Sequence, residues 1–128
     1  MTFEIARAAE RDIKDILAET LKVFGMRQLA VYAAIIDKGM AMVGDDPERA
    51  GSIDRSEIGR GVRLFHLELA ADRRGAAAHC LYYATGEMSN GANGTIVLRV
   101  LHEHMEPRYK VVRSLKKFAG PAAPFMPQ

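Results

Sequence analysis

The sequence predicts an α+β domain in which an antiparallel helical hairpin packs on an antiparallel sheet of three to four strands. Apolar residues recur every three or four positions from residue 8 to residue 43, and Gly25 interrupts this helical spacing. Three later apolar segments are short and are separated by loops rich in Gly and Asn, a pattern typical of strands. The 128 residues are 48% hydrophobic and 27% charged, which suits one globular domain.

The N-terminal third predicts a strand followed by the helical hairpin. Residues 3–5 alternate between apolar and polar side chains, as in a short opening strand. Helical spacing then runs from residue 8 to residue 24, and Gly25 supplies a stop. A second helical stripe covers residues 29–43, and a link this short between two helices makes them antiparallel.

The rest of the sequence predicts three strands and a terminal helix. Residues 43–61 are poor in apolar side chains and contain several Gly and one Pro, so they are expected to form a loop. The later elements are strands at residues 62–69, 76–85 and 95–104 and a helix at residues 108–118. The last strand is almost continuously apolar, which indicates a central position in the sheet.

Composition excludes several classes of protein. One cysteine, Cys80, rules out an internal disulfide framework and a cysteine-based zinc site. No apolar run approaches the roughly 20 residues that span a bilayer, and the N-terminus lacks the features of a signal peptide. We therefore expect a cytoplasmic protein with no membrane partner. Its domain is expected to cover residues 1–118, followed by a loose Pro-rich tail at residues 119–128.

Charge is divided unevenly along the chain. Residues 1–57 carry 8 Lys and Arg against 11 Asp and Glu, a balance of −3, whereas residues 58–128 carry 10 against 5, a balance of +5. In the terminal helix, Lys110, Arg113 and Lys117 share the side opposite the apolar stripe. A basic half suits an acidic partner, either nucleic acid or protein. Because the sequence lacks the long basic run of a DNA-binding arm, direct nucleic-acid binding is not favoured.

Residues 99–108, Arg-Val-Leu-His-Glu-His-Met-Glu-Pro-Arg, concentrate titratable side chains at the end of the last predicted strand. On a continuous strand, His102, His104 and Glu106 would share one face, an arrangement open to a transition metal. Such a site needs further ligands from another strand and partners that orient the imidazoles. A polar strand end is the simpler interpretation, so we expect neither a metal nor a cofactor.

Proton transfer is a second alternative for these residues. His79 and the strand-end histidines titrate near neutrality, and Arg63 and Arg99 would give them a basic cleft. The simpler interpretation is that the imidazoles lie at the surface and bond to nearby carboxylates. Cys80 lies in an apolar strand, where a thiol is usually a small buried hydrophobe. The residues alone therefore leave the function open.

Four segments of the chain match, in order, the motifs of one known protein family. In the first helix the matching positions are Ala9, Asp12, Ile13, Ile16 and Gly25. In the loop and the strand after it they are Pro47, Gly51, Gly61, Val62, Arg63 and Phe65. The next strand contributes His79, Leu81 and Tyr83. The strongest match is the last strand, with Ile96, Arg99, Val100, Leu101, His102 and Met105. Over roughly residues 3–110, the sequence resembles the ParE branch of the RelE/ParE toxin superfamily, the plasmid stabilisation proteins of type II toxin–antitoxin systems.

This resemblance implies the RelE/ParE-like fold, which agrees with the element order derived above. It also implies a toxin that inhibits DNA gyrase without being an enzyme and that is neutralised by a ParD-like antitoxin. The antitoxin segment orders along the helical hairpin, with expected contacts at Ile16, Leu29, Tyr32 and Ile36. Expected contacts with the target are Arg99, His102, His104, Met105, Arg108, Lys110 and Arg113.

Two other functions remain open. A RelE-type toxin would be a ribosome-dependent mRNA endonuclease, and its catalytic candidates would be Arg63, His79, Arg99 and Tyr109. Against it, the strand at residues 79–83 lacks the nuclease arginine, and His102–Glu103 replaces a Lys/Arg pair. The third interpretation is a non-toxic protein-binding module. The chain also departs from the family in its terminal helix, which bears on the choice of target.

Overall fold

A helical hairpin and a terminal helix enclose a mixed β-sheet in the computed structural model, which describes residues 3–71 and 73–119. The helices are α1 (Arg7–Phe24), α2 (Met26–Asp45), α3 (Glu68–Ala71) and α4 (Arg108–Ala119). The strands are β1 (Phe3–Ile5), β2 (Ile53–Asp54), β3 (Arg63–His66), β4 (His79–Glu87) and β5 (Asn93–His102). The predicted α+β class, hairpin and terminal helix are confirmed. Residues 120–128, most of the predicted tail, lie outside the described residues.

The five strands lie in the order β1-β5-β4-β3-β2, so the first and last strands of the chain are neighbours. β1 runs parallel to β5, with Phe3 opposite Thr95, whereas the other three pairs are antiparallel. The sheet is therefore mixed and has five strands instead of the three or four expected. β2 has two residues, too few to produce a periodic pattern, and local periodicity carries no information about the partner of β1.

The predicted strand at residues 62–69 is divided between a strand and a helical turn. β3 ends at His66, and the next residues form α3, in which the amide of Ala70 donates to the carbonyl of Leu67 at 3.0 Å. Leu67 and Ala70 are both buried, and their spacing of three is helical. The alternation that suggested one strand therefore holds only up to His66.

The sheet separates two hydrophobic cores. α1 and α2 cover one face, where the fully buried side chains include Ile36, Val43, Phe65, Leu81, Tyr83 and Val97. α4 covers the other face, where Val111 and Leu115 pack against Tyr82, Ile96 and Leu98. β5 is thus covered on both faces, which explains its continuous apolar sequence.

A bulge in β5 changes which of its residues face each core. Leu98 is unopposed between the pairs Tyr82–Arg99 and Tyr83–Val97. This extra residue shifts the alternation of the strand by one position. As a result, a residue before the bulge and a residue after it face the same core when their sequence numbers differ by an odd number.

Gly25 alone links the two helices of the hairpin. Its φ of 91° lies in the region that favours glycine. Its amide donates to the carbonyl of Leu21, and its carbonyl accepts from Leu29, so it ends one helix and begins the next. Among the described residues, no helix is both long enough and apolar enough to cross a membrane.

Candidate functional site

β5 ends at His102, earlier than the sequence suggests. The amide of Met105 donates to the carbonyl of His102 at 2.9 Å, which closes a turn over residues 103–105. His104 and Glu106 therefore lie beyond the strand, and the continuous strand that would place them on one face with His102 does not form. Within residues 3–71 and 73–119, no three His, Cys, Asp or Glu side chains are grouped as metal ligands.

Residues 106–108 start α4 and fix its direction. Pro107 needs no hydrogen-bond partner for its nitrogen, and its carbonyl accepts from the amide of Val111 at 2.9 Å. A carboxylate oxygen of Glu106 accepts from the amide of Arg108 at 3.0 Å, which favours a helix N-terminus. The first turn of α4 is therefore held close to the end of β5.

The turn and the start of α4 expose four side chains, which we call the strand-end surface: His104, Met105, Arg108 and Tyr109. His104 and Arg108 have 82% and 62% of their side chains exposed, and Met105 and Tyr109 are 43% and 76% exposed. Met105 and Tyr109 are among the large apolar or aromatic residues that this chain leaves exposed. The structure thus brings together three of the predicted target contacts and one predicted nuclease residue.

Arg99, expected to contact the target, is engaged within the chain. Its guanidinium makes two bonds of 2.7 Å to the carboxylate of Asp12 on α1, and that carboxylate also accepts from the amide of Val100. The side chains of Arg99 and Asp12 are only 19% and 12% exposed. This ion pair joins the first family motif to the last one, and it leaves little of Arg99 for a partner.

Three imidazoles lie in a row near the end of β5, and the first of them contacts a tyrosine of the hairpin. The hydroxyl of Tyr32 lies 2.6 Å from Nδ1 of His79. The rings of His79 and His102 are 5.5 Å apart, and those of His102 and His104 are 5.3 Å apart. Burial, and then the positive charge that His102 can carry, lower the pKa of His79. His79 is therefore a neutral, half-buried hydrogen-bond partner at neutral pH.

Two nearby titratable groups, the carboxylate of Glu103 and the thiol of Cys80, are held by contacts within the fold. His66 lies 2.6 Å from a carboxylate oxygen of Glu103, and this bond lowers the pKa of Glu103. Cys80 is buried, and burial raises the pKa of its thiol to about 11. A thiol with that pKa stays protonated at neutral pH, so the expectation of a small buried hydrophobe at Cys80 is confirmed.

A groove of about 230 Å³ runs between α1 and the end of β5. Its lining includes His79, His102, Met105 and Lys110. His102 and Lys110, both predicted target contacts, thus adjoin the strand-end surface. Arg113, another predicted contact, is exposed one helical turn beyond Lys110.

The four candidate nuclease residues do not converge on one site. Arg63 pairs with Tyr83 on β4, four residues beyond His79, a separation of about 13 Å along the strand. The guanidinium of Arg63 donates to the hydroxyl of Ser52 at 2.7 Å. Arg99 lies beside His79 and Tyr109, but Asp12 neutralises it.

The predicted antitoxin contacts differ in accessibility. Ile16 and Leu29 are half-buried, whereas Tyr32 and Ile36 are 7% and 1% exposed and belong to the core between the hairpin and the sheet. Tyr32 and Ile36 therefore offer almost no surface to a partner. Sequence reasoning missed the exposed apolar residues around the hairpin turn, which we call the hairpin-tip surface: Leu21, Val23, Phe24, Met26 and Val31. Apolar residues that flank a helix-ending Gly were the available signal, because turns lie at the surface.

Comparison with known protein families agrees with this fold. The family model described as the ParE toxin of the type II toxin-antitoxin system, parDE, matches residues 3–107. The match covers most of the chain and ends where α4 begins. No curated protein matches the chain. The chain therefore belongs to the ParE toxin family, and it is the toxin of a type II toxin–antitoxin system whose partner is an antitoxin.

Proposed function

We propose that the free toxin inhibits DNA gyrase and that it contacts gyrase through the strand-end surface. The observation that carries this proposal is the exposure of Met105 and Tyr109 beside Arg108. Aromatic residues, Met and Arg are enriched where proteins bind each other. A few side chains there, most often Trp, Tyr or Arg, supply most of the binding energy. The surface also directly follows the family motif in β5, on backbone held by the turn and by the start of α4.

The candidate nuclease side chains Arg63, His79 and Arg99 are engaged in contacts within the chain, which supports inhibition by binding over catalysis. Mechanisms that cleave RNA need general acid–base groups or cations directed at the reacting atoms. Arg63 is held by Ser52 at a distance from the histidines, and the guanidinium of Arg99 is paired with Asp12. His79 is half-buried and bonded to Tyr32.

A supercoiling assay tests the gyrase proposal. Purified toxin should block supercoiling of relaxed plasmid by bacterial gyrase, and Met105→Asp should raise the half-inhibitory concentration at least ten-fold. Val31→Asp is the matched control, because Val31 is 46% exposed against 43% for Met105 and lies on α2. The control should inhibit as the parent does.

Normal supercoiling in the presence of excess toxin would contradict the gyrase proposal. A translating extract should then be examined for breaks in mRNA at fixed codon positions, the product of a RelE-type endonuclease. Intact mRNA together with normal growth on expression of the toxin alone would support a non-toxic binding module.

We further propose that a ParD-like antitoxin neutralises the toxin by docking on the hairpin-tip surface. An antitoxin segment that orders on binding needs an apolar surface against which to pack. Phe24 and Met26, each 70% exposed, provide one at the end of the hairpin. The half-buried Ile16 and Leu29 would extend this contact along the hairpin.

The antitoxin proposal is tested with the protein encoded next to the toxin gene. We expect a short ribbon-helix-helix protein with a disordered tail, which binds the toxin and restores growth. Phe24→Ser and Met26→Ser should each weaken this complex about ten-fold in calorimetry, whereas Arg60→Ser, an exposed change outside the hairpin, should not. Equal affinities for all three variants would place the antitoxin elsewhere.

A further inference from the structure

A long groove separates the first turns of α1 from α4, away from the hairpin tip. It consists of two adjoining cavities of about 500 Å³ and 280 Å³. Both are lined by Ala8 and Arg11 of α1 and by Ser114 and Lys117 of α4. Because the cavities share these four residues, they lie side by side between α1 and α4.

Five cations line this groove without an acidic partner: Arg7, Arg11, Lys110, Arg113 and Lys117. Within the described part of the chain, no carboxylate lies within 4.0 Å of any of their charged nitrogens. Glu4, at one end of the groove, is the acidic residue in the lining, and its single negative charge offsets only part of the charge of the five cations. The groove therefore carries an uncompensated positive charge.

The cations are arranged as two facing rows. Arg7 and Arg11 are four residues apart on α1, and Arg113 and Lys117 are four apart on α4, so each pair is separated by about 6 Å along its helix axis. A linear polyanion lying between the helices would meet cations on both sides. An isolated anion would use only part of this length.

An exposed aromatic ring lies at one end of the rows. Tyr109 lines the smaller cavity and is 76% exposed, and the guanidinium carbon of Arg113 is 6.0 Å from its ring centroid. A ring beside a row of cations is the arrangement by which proteins bind single-stranded nucleic acid, since bases stack on the ring while phosphates meet the cations. A purely acidic peptide has no group that stacks in this way.

We propose that the groove between α1 and α4 binds single-stranded nucleic acid through its phosphodiester backbone, with one base stacked on Tyr109. The uneven charge of the sequence concealed this site, because Arg7 and Arg11 come from the acidic half of the chain and meet α4 only in the fold. The site shares Tyr109 with the strand-end surface, but its cations lie in the groove between α1 and α4. It is tested without gyrase, so either proposal can fail alone.

The first test measures binding of the full chain to fluorescent dT12 and U12 by anisotropy at several salt concentrations. On a single strand each phosphate contact contributes about −0.7 to the slope of log affinity against log salt concentration. Five contacts therefore predict a slope no steeper than about −3.5. Arg11→Glu with Lys117→Glu should weaken binding at least thirty-fold. Lys38→Glu with Arg60→Glu makes the same change in net charge at exposed positions outside the groove, and it should weaken binding less than three-fold.

The second test separates nucleic acid from an acidic peptide. Tyr109→Ala should weaken binding of dT12 and U12 about ten-fold, and Tyr109→Phe should retain it, because stacking needs the ring and not the hydroxyl. Binding of polyglutamate should be the same for both variants. Comparing dT12 with U12 distinguishes DNA from RNA as the natural ligand, and preference for either supports the proposal.

Three results would overturn the proposal. One is no binding of either oligonucleotide at 25 mM salt, and another is an equal loss for the groove variant and its charge-matched control. The third is a Tyr109→Ala variant that binds oligonucleotides as the parent does, with polyglutamate an equally good ligand, which would assign the groove to an acidic peptide. Thermal melting of each variant checks that the fold is retained.

Discussion

At the scale of single residues, the ion pair between Asp12 and Arg99 is the contact that ties α1 to β5. Two strong bonds of 2.7 Å and a third bond to the amide of Val100 leave the carboxylate well satisfied. Sequence reasoning placed Asp12 in one family motif and Arg99 in another. Their pairing depends on how β5 lies against α1, so no local pattern reports it.

Replacing Asp12 should destabilise the protein strongly, because a mostly buried guanidinium would lose its partner. We expect Asp12→Ala to lower the free energy of unfolding by about 3 kcal/mol, as measured by urea denaturation. Arg108→Ala is the control, since Arg108 and Glu106 form an exposed pair at 3.7 Å that should contribute less than about 1 kcal/mol. Equal effects of the two substitutions would mean that the Asp12 pair is not structural.

His79 makes the stability of the fold depend on pH. Its pKa is lowered by burial and by His102, so between the two pKa values the unfolded chain binds more protons at this residue than the folded chain. The stability is therefore full above about pH 6.5, the ordinary value for histidine, and declines as the pH falls below it.

This pH dependence can be tested with a variant that does not titrate. Between about pH 7.5 and pH 5.5, the free energy of unfolding should fall less for His79→Gln than for the parent, because glutamine still offers Tyr32 a hydrogen-bond acceptor. The lowered pKa of Glu103 produces its own loss of stability only at lower pH, below that of an ordinary glutamate. Parallel curves for parent and variant would show that His79 does not cause the slope.

At the scale of elements, α2 packs against the segment after β3 with no room for a side chain at Gly39. A Cβ added at Gly39 would lie 2.5 Å from Cδ2 of Leu67, a side chain that is completely buried. Gly39 therefore sets how near the helix can approach the segment between β3 and α3. The sequence predicted α2 from its apolar stripe, but the stripe does not reveal the reason for a glycine within it.

Gly39→Ala should test this close approach. The added methyl should cost about 1–3 kcal/mol through overpacking, a loss that the better helix propensity of alanine offsets by up to about 1 kcal/mol. Leu67→Val shortens the opposing side chain, so the double variant should be more stable than the sum of the two single losses predicts. Simple additivity in urea denaturation would show that the two residues do not contact.

Elements with a strong local pattern could be predicted, and those without one could not. α1, α2, α4, β4 and β5 have apolar periodicity of sufficient length, and all five were expected near their observed positions. β2 and α3 are too short to show a period. The turn after His102 was missed because polar residues at a strand end look alike whether the strand continues or turns, and this error had suggested the metal site.

At the scale of the whole molecule, one sheet supports two cores, and we expect them to unfold together. Ile36→Ala on the hairpin side and Leu115→Ala on the α4 side each remove a fully buried side chain and should each cost about 2–5 kcal/mol. Both should shift a single transition, followed in urea by far-UV circular dichroism and by tyrosine fluorescence. Two separate transitions in either variant would show that the cores are independent.

The charged and apolar surfaces of the molecule also could not be predicted from single segments of the sequence. The balance of −3 over residues 1–57 gave no sign that Arg7 and Arg11 would face Arg113 and Lys117 across a groove. Similarly, the exposed tip of the hairpin depends on which side of α1 and α2 meets the sheet. Surfaces are formed by residues distant in sequence, and periodicity describes only one element at a time.

The pairing of β1 with β5 has a consequence for the order in which the toxin is made. Residues 3–5 must wait for residues 95–97 before they can enter the sheet. At about 5–20 residues per second, that wait lasts roughly 5–20 seconds on the ribosome. Once residue 45 has been made, the hairpin is complete while the strand-end surface has not yet been synthesised. In that later part of the interval, an antitoxin that binds the hairpin can capture the nascent chain before the toxin is able to reach its target.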